Sequence, residues 1–155
     1  MLLPGQLKNW RDHLRATGKK LVVTNGCFDL LHLGHVTYLE NARNLGDVLL
    51  VGVNGDAAVR ELKGAGRPIN SENDRAGVLA ALQMVDAVFI FPERTATLFL
   101  SEAEPDVYVK GGDYTLETLS QEERRAVENS GGKIIIAPIV AGKSTSAVVE
   151  KISRL

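Results

Sequence analysis

Five short apolar runs limit what this chain can fold into. Residues 19–25, 48–54, 87–91, 106–110 and 133–137 are rich in β-branched side chains and show no polar alternation. A strand half exposed to water alternates apolar and polar residues, whereas a strand covered on both faces does not. Between the runs lie helical patterns near 35–45, 55–63, 72–84, 95–103 and 120–130, with a last one near 145–154. Ser71 with Asp74 and Ser120 with Glu123 have the spacing of helix-starting boxes, and Gly131-Gly132 marks a stop. Strands alternating with helices predict an α/β fold: a doubly wound, Rossmann-like, mainly parallel sheet of about five strands.

The chain has 155 residues, the size of one domain, so residues 1–155 are read as a single unit. Residues 1–18 form its N-terminal helix, with Leu3, Leu7, Trp10 and Leu14 at helical spacing and Pro4 in the first turn. A net charge of -1 carries no electrostatic footprint for nucleic acid or an anionic membrane, so any anion site must be local. Cys27 is the only cysteine, which excludes an internal disulfide framework and fits a reducing, cytoplasmic setting. No apolar run is long enough to span a bilayer, and Lys8, Arg11, Asp12 and Arg15 interrupt the N-terminal stretch where a signal peptide would be apolar.

In such folds ligands bind beyond the carboxyl ends of the strands. The segments that follow strands are therefore the candidates: TNGCFD, VNGD, KGGDY and GKSTS. The first continues into His32-Leu33-Gly34-His35 at a predicted helix start. Two imidazoles three residues apart share one face, Gly34 keeps that face open, and the helix start adds free N–H groups. Together these form a cradle for a phosphate, in which His32 and His35 donate to oxygens that gain charge during transfer. A metal held by His32, His35 and Asp29 is the rival, but the spacing is not that of a zinc-binding HExxH helix. His13 has no metal-like context, and no metal ligand is assigned. The plainest alternative is two ordinary polar residues at a helix start.

GKSTS (142–146) can cap the last helix while Ser144, Thr145 and Ser146 expose hydroxyls and N–H groups, and Val148, Ile152 and Leu155 form an apolar stripe behind them. It is not a phosphate-binding P-loop, because the first glycine is missing and no strand follows. Gly111-Gly112 lets the backbone approach a ligand, although Gly-Gly-Asp at 111–113 is also an ordinary turn. Lys110 is a phosphate ligand or a solvated strand end. KGAGRPIN (63–70) has two glycines, a proline and two cations without periodicity, which predicts a mobile loop. Lys63, Arg67 and Arg75 are candidate phosphate clamps beside it; the alternative for each is a surface cation.

FDLLHLGH, KGGDY and GKSTS at these separations resemble the cytidylyltransferase-like nucleotidyltransferases and, within them, the ADP-heptose synthases. The resemblance runs from Lys19 to the C-terminus. It implies transfer of AMP from ATP, with Mg2+, to D-glycero-β-D-manno-heptose 1-phosphate. The product would be ADP-heptose for lipopolysaccharide core synthesis. It implies catalytic roles for His32 and His35 and for Arg75, which matches an arginine of related cytidylyltransferases; Lys63 joins them by its position beside the loop. It further places Asn25, Gly26, Cys27, Phe28, Gly34, Lys110, Gly111, Gly112, Asp113, Ser144, Thr145 and Ser146 at the nucleotide, and Asp29 and Asn54 at the acceptor. By its own chemistry Cys27 reads as packing, and Asp56 as a helix cap. Relatives are commonly homodimers, and in many bacteria the domain follows a sugar kinase; this chain is then a stand-alone version or an excised domain. Ile139 stands where cytidylyltransferases generally have an arginine, which favours ATP over CTP. A cytidylyltransferase for glycerol 3-phosphate is the competing reading, and a non-catalytic nucleotide-binding module is the alternative from another class. Size and charge disfavour a fragment of a tRNA synthetase.

Overall fold

The computed structural model describes residues 1–138, 140 and 142–155. Five strands form one parallel sheet: β1 (Leu21–Gly26), β2 (Val48–Asn54), β3 (Ala87–Phe91), β4 (Val107–Gly111) and β5 (Lys133–Ala137). The helices are α1 (Leu7–Ala16), α2 (Leu33–Arg43), α3 (Asp56–Lys63), α4 (Glu72–Ala80), α5 (Thr97–Ala103), α6 (Gln121–Asn129) and α7 (Thr145–Ser153). The strand order is β3-β2-β1-β4-β5. The chain starts in the middle of the sheet, winds outward to β3, then crosses back to β4. The reversal leaves a crevice between the carboxyl ends of β1 and β4, the place where this topology accepts ligands.

The uninterrupted apolar runs conceal a period of two that serves both sheet faces. Leu21 and Val23 face one core with Leu7 and Leu14 of α1, Phe99 and Leu100 of α5 and Val127 of α6. Val22 faces the other core with Leu49, Val51 and Val53, under Leu39 and Ala42 of α2 and Ala76 and Leu79 of α4. Each fully buried side chain of this size contributes roughly 1.5–3 kcal/mol of transfer free energy, so the two layers fix the register on both sides. Gly52 shows how tightly one layer closes: a Cβ there would lie 2.5 Å from the Phe99 ring.

Both predicted boxes cap their helices, with Ser71 Oγ accepting from the Asp74 N–H and Ser120 Oγ from the Glu123 N–H. Two expectations need correction. Pro4 precedes the first helix, which begins at Leu7 after a turn in which Gly5 has φ +82°, and Leu3 is exposed. Along α1 the stripe instead includes Arg11, buried and bonded to the Glu104 carbonyl and the Asp106 carboxylate. The stripe expected on α7 also stays outside the core: Val148 is half-buried, and Ile152 and Leu155 are exposed. The cause is topological, since α7 follows β5, the edge strand, and has no complete sheet face to cover.

Candidate active site

A cleft of about 620 Å³ opens at the carboxyl ends of the strands, between the N-termini of α2 and α7. Asn25 from β1, Asn54 from β2 and Lys110 from β4 reach it from the sheet, while His32, Gly34, His35 and Ser144, Thr145, Ser146 reach it from the helix starts. All of these had been expected at the site. Two helix starts facing one space, of which that of α2 has no side-chain cap, supply N–H groups and positive potential for anions.

His32 is the N-cap of α2, in extended conformation, and its carbonyl accepts from the His35 and Val36 N–H groups. His35 lies one turn in, and the rings stack with centroids 3.9 Å apart and planes 27° from parallel. Phe28, held at φ +47°, packs its ring edge-on against His35 at 5.4 Å. Both Nδ1 atoms are buried without a hydrogen-bond partner, so Nε2 is the nitrogen each ring can present to the cleft. Burial, with some help from His32, pulls His35 down to about 4, and burial together with Lys143 lowers His32. Both imidazoles are therefore neutral at pH 7. Stacked rings set their in-plane lone pairs side by side rather than converging on one ion. Among the described residues no three His, Cys, Asp or Glu side chains gather into a metal cage.

Gly34 has a reason beyond access. A Cβ there would lie 3.0 Å from two His32 ring atoms and 3.1 Å from Lys143 Cβ, so glycine lets the α7 start close against the α2 start. Thr145 Oγ1 donates to the Leu30 carbonyl and joins the two segments, while Ser144 caps α7 through the Ala147 N–H.

Across the crevice, Lys110 Nζ donates to Asn25 Oδ1 at 3.2 Å and lies 4.8 Å from the Tyr114 ring centroid. Gly111 and Asp113 line the cleft, but Gly112 does not. Gly26 and Cys27 line its floor; burial pushes the Cys27 thiol up, against the opposing charges of Lys63 and Arg75.

Three expected residues have other employment. Arg75 was expected as a phosphate clamp, yet its side chain is fully buried and does not line the cleft. Its Nε donates to the Asn70 carbonyl, Nη1 to the Cys27 carbonyl and Nη2 to Asp56, so every guanidinium nitrogen is engaged within the protein. Asp29, expected at the acceptor, lines the cleft, and its carboxylate accepts from Arg67 Nη1 and from the Ile69 and Asn70 N–H groups. Burial raises that carboxyl, and these hydrogen bonds outweigh it and hold it below the ordinary range. The same bonds pin the second half of the 63–70 loop, which had been expected to be mobile throughout. Asn54 lines the cleft while its amide donates to the Glu93 carbonyl. Lys63 lines it as expected.

Sequence reasoning missed Lys143, Arg94, Tyr38, Tyr114 and Leu62 as cleft residues. Arg94 follows β3, so the rule applied to the other strand ends would have found it. Ile139, on which the sequence argument for ATP over CTP rests, lies outside the described residues.

Comparison with known proteins adds three findings. Residues 23–151 match the family described as cytidylyltransferase-like. The chain is 51% identical over 142 residues to the bifunctional protein HldE of Citrifermentans bemidjiense and 54% identical over 141 residues to that of Pseudomonas paraeruginosa. These alignments cover 92% and 91% of this chain but only 28% and 29% of the two relatives, so the chain spans less than a third of their length. The crystal structure of a lipopolysaccharide core biosynthesis protein from Thermoplasma volcanium superposes with a TM-score of 0.65 at 31% identity, covering 79% of this chain and 98% of that one.

Proposed function

The chain belongs to the cytidylyltransferase-like family, and from that premise we propose that it is a sugar-phosphate adenylyltransferase. It transfers AMP from ATP to D-glycero-β-D-manno-heptose 1-phosphate, releasing pyrophosphate and giving ADP-heptose for lipopolysaccharide core synthesis. The high identity to bifunctional HldE proteins and the likeness to a lipopolysaccharide core biosynthesis protein support this acceptor. The observation that carries the reading is the stacked pair His32 and His35, neutral and with Nδ1 buried, at the uncapped start of α2.

The chemistry needs no protein nucleophile. A phosphate monoester is largely ionised at neutral pH and attacks the α-phosphorus directly; the bond to the β-phosphate oxygen breaks, and pyrophosphate leaves with the electron pair. The protein positions the two anions and offsets the charge that develops between them. His32 and His35 donate Nε2–H to phosphate oxygens, and the N–H groups and hydroxyls of Ser144, Thr145 and Ser146 hold the outer phosphates with Lys143. Lys63 and Arg94 supply further positive charge. Arg75 positions the floor of the site from behind. Mg2+ bound with ATP would add charge neutralisation at the phosphates, and no protein ligand is assigned to it. A homodimer is part of the proposal.

The test is pyrophosphate release across a grid of nucleotides and phosphorylated acceptors. The proposal expects ATP with heptose 1-phosphate to be the strongest combination. CTP with glycerol 3-phosphate as the strongest would move the chain to the cytidylyltransferase reading, and nucleotide binding without release would make it a binding module.

A further inference from the structure

Behind the cleft floor runs a chain of polar side chains that the reaction above does not use. Glu123 on α6 is 7% exposed, and its Oε1 accepts from the Ala96 N–H at 2.9 Å. Its Oε2 lies 3.2 Å from the Tyr108 hydroxyl, which also lies 2.6 Å from Asn25 Oδ1. Lys110 Nζ donates to that same Asn25 oxygen. The chain crosses from α6 through β4 to β1 and ends at the crevice where the topology reverses.

Lys110 ends it in an unusual condition. It is 7% exposed and lines the cleft, and among the described residues no carboxylate lies within ion-pair distance of it. Three ammonium protons meet one oxygen and the faces of the Tyr114 and Tyr108 rings. A buried cation with so few partners is costly unless a ligand or a fixed counter-charge completes it. The counter-charge in place is Glu123, three contacts away through Asn25 and Tyr108. Burial pulls the Lys110 ammonium below the ordinary lysine range, while Glu123 and, less strongly, Cys27 push it back up. The other titratable groups around it are Tyr108 and Tyr114; Cys27 in turn feels the charges of Lys63, Arg75 and Asp29.

We propose that Lys110 binds a phosphate oxygen of the substrate at the β1–β4 crevice, and that Glu123, Tyr108 and Asn25 are positioning residues that aim its ammonium. The identity of the ligands rests on the function proposed above. The phosphate can belong to the nucleotide or to the sugar, and separate binding measurements distinguish the two.

The experiment uses the full chain and measures ATP and heptose 1-phosphate binding separately by calorimetry, from neutral to alkaline pH, with melting temperature as the control for folding. Lys110→Met should weaken one of the two ligands by about tenfold or more, the scale of a hydrogen bond to a charged group. Glu123→Gln keeps the shape and the bond to Ala96 but removes the charge. It should weaken the same ligand at neutral pH by a smaller factor. Its sign with pH is fixed: rising pH discharges Lys110 and loosens the phosphate, and without Glu123 this loss begins at lower pH. Lys110→Arg should remove the alkaline loss, since a guanidinium does not titrate there; a loss due to Cys27 or Tyr114 would persist. In a Lys110→Met background, Glu123→Gln should change affinity no further. Should Glu123→Gln fail to fold, Tyr108→Phe takes its place in the cycle. Unchanged affinity for both ligands in Lys110→Met, or equal effects of Glu123→Gln with and without Lys110, overturns the proposal. Binding is read without turnover, so a chain that binds ATP through Lys110 and releases no pyrophosphate defeats only the proposed reaction.

Discussion

The start of α2 and the start of α4 carry the residues whose chemistry looked most alike in the sequence, and the fold treats them in opposite ways. At α2, His32 and His35 keep buried nitrogens without partners, and no side chain caps the helix. At α4, Ser71 caps the helix, and all three guanidinium nitrogens of Arg75 are bonded to Asn70, Cys27 and Asp56. With Nδ1 buried, each imidazole turns Nε2 toward the cleft, where a ligand can meet it, whereas every guanidinium nitrogen of Arg75 is already engaged by the protein. The comparison separates a residue that touches substrate from one that holds the walls.

The largest effects should fall on the unsatisfied side. Replacing His32 or His35 by alanine is expected to lower kcat by about two orders of magnitude or more, the cost of a lost charge-stabilising donor, with the melting temperature held or raised. Arg75→Met should do the reverse: a loss of about 2–3 kcal/mol, seen as a melting temperature lower by roughly 5–10 °C, because two carbonyls lose their donor. Thermal melts beside steady-state kinetics check both, and a folded, stable but inactive Arg75→Met would break the distinction. Gly34→Ala sharpens it from the side of geometry. The new Cβ must displace the His32 ring or Lys143, and kcat should fall by roughly tenfold to a hundredfold, the scale of a small misplacement of a catalytic group.

A smaller effect follows from His35 itself. Its folded pKa is lowered by burial to about 4, whereas the unfolded chain takes up the proton near 6.5. The unfolded state thus binds more protons in this window, and stability is lost as pH falls from about 6.5 towards about 4. The melting temperature of His35→Gln measured across that range should fall less steeply than that of the unchanged chain. The smallest effect belongs to α7: Ile152→Ser should change stability by no more than about 0.5 kcal/mol, because the side chain is exposed.

Much of this was legible before the structure. The five unalternated runs gave five parallel strands, and the strand-end rule led to His32, His35, Lys110 and Ser144–Ser146. Arg75 was misread because its partners Cys27 and Asp56 are distant in sequence, so nothing local reveals that its nitrogens are engaged inside the protein. The partners of Asp29 were hidden for the same reason, since the loop it holds returns forty residues later at Ile69 and Asn70. The apolar pattern of α7 announced a helix, but periodicity cannot tell a helix over a sheet face from one beside an edge strand. Lys143 was in view within GKSTS and was passed over for the hydroxyls that follow it.

The central claim is that both cleft histidines are neutral and present Nε2–H to substrate phosphate. The chain has three histidines, of which His13 lies on α1 away from the cleft. Nitrogen-15 spectra of histidine-labelled protein, recorded at pH 7 with and without MgATP, therefore contain few signals to assign. The account predicts that His32 and His35 show neutral rings protonated at Nε2, and that both shift when MgATP is added while His13 does not. Charged imidazolium rings at pH 7, or cleft signals indifferent to the nucleotide, would contradict it.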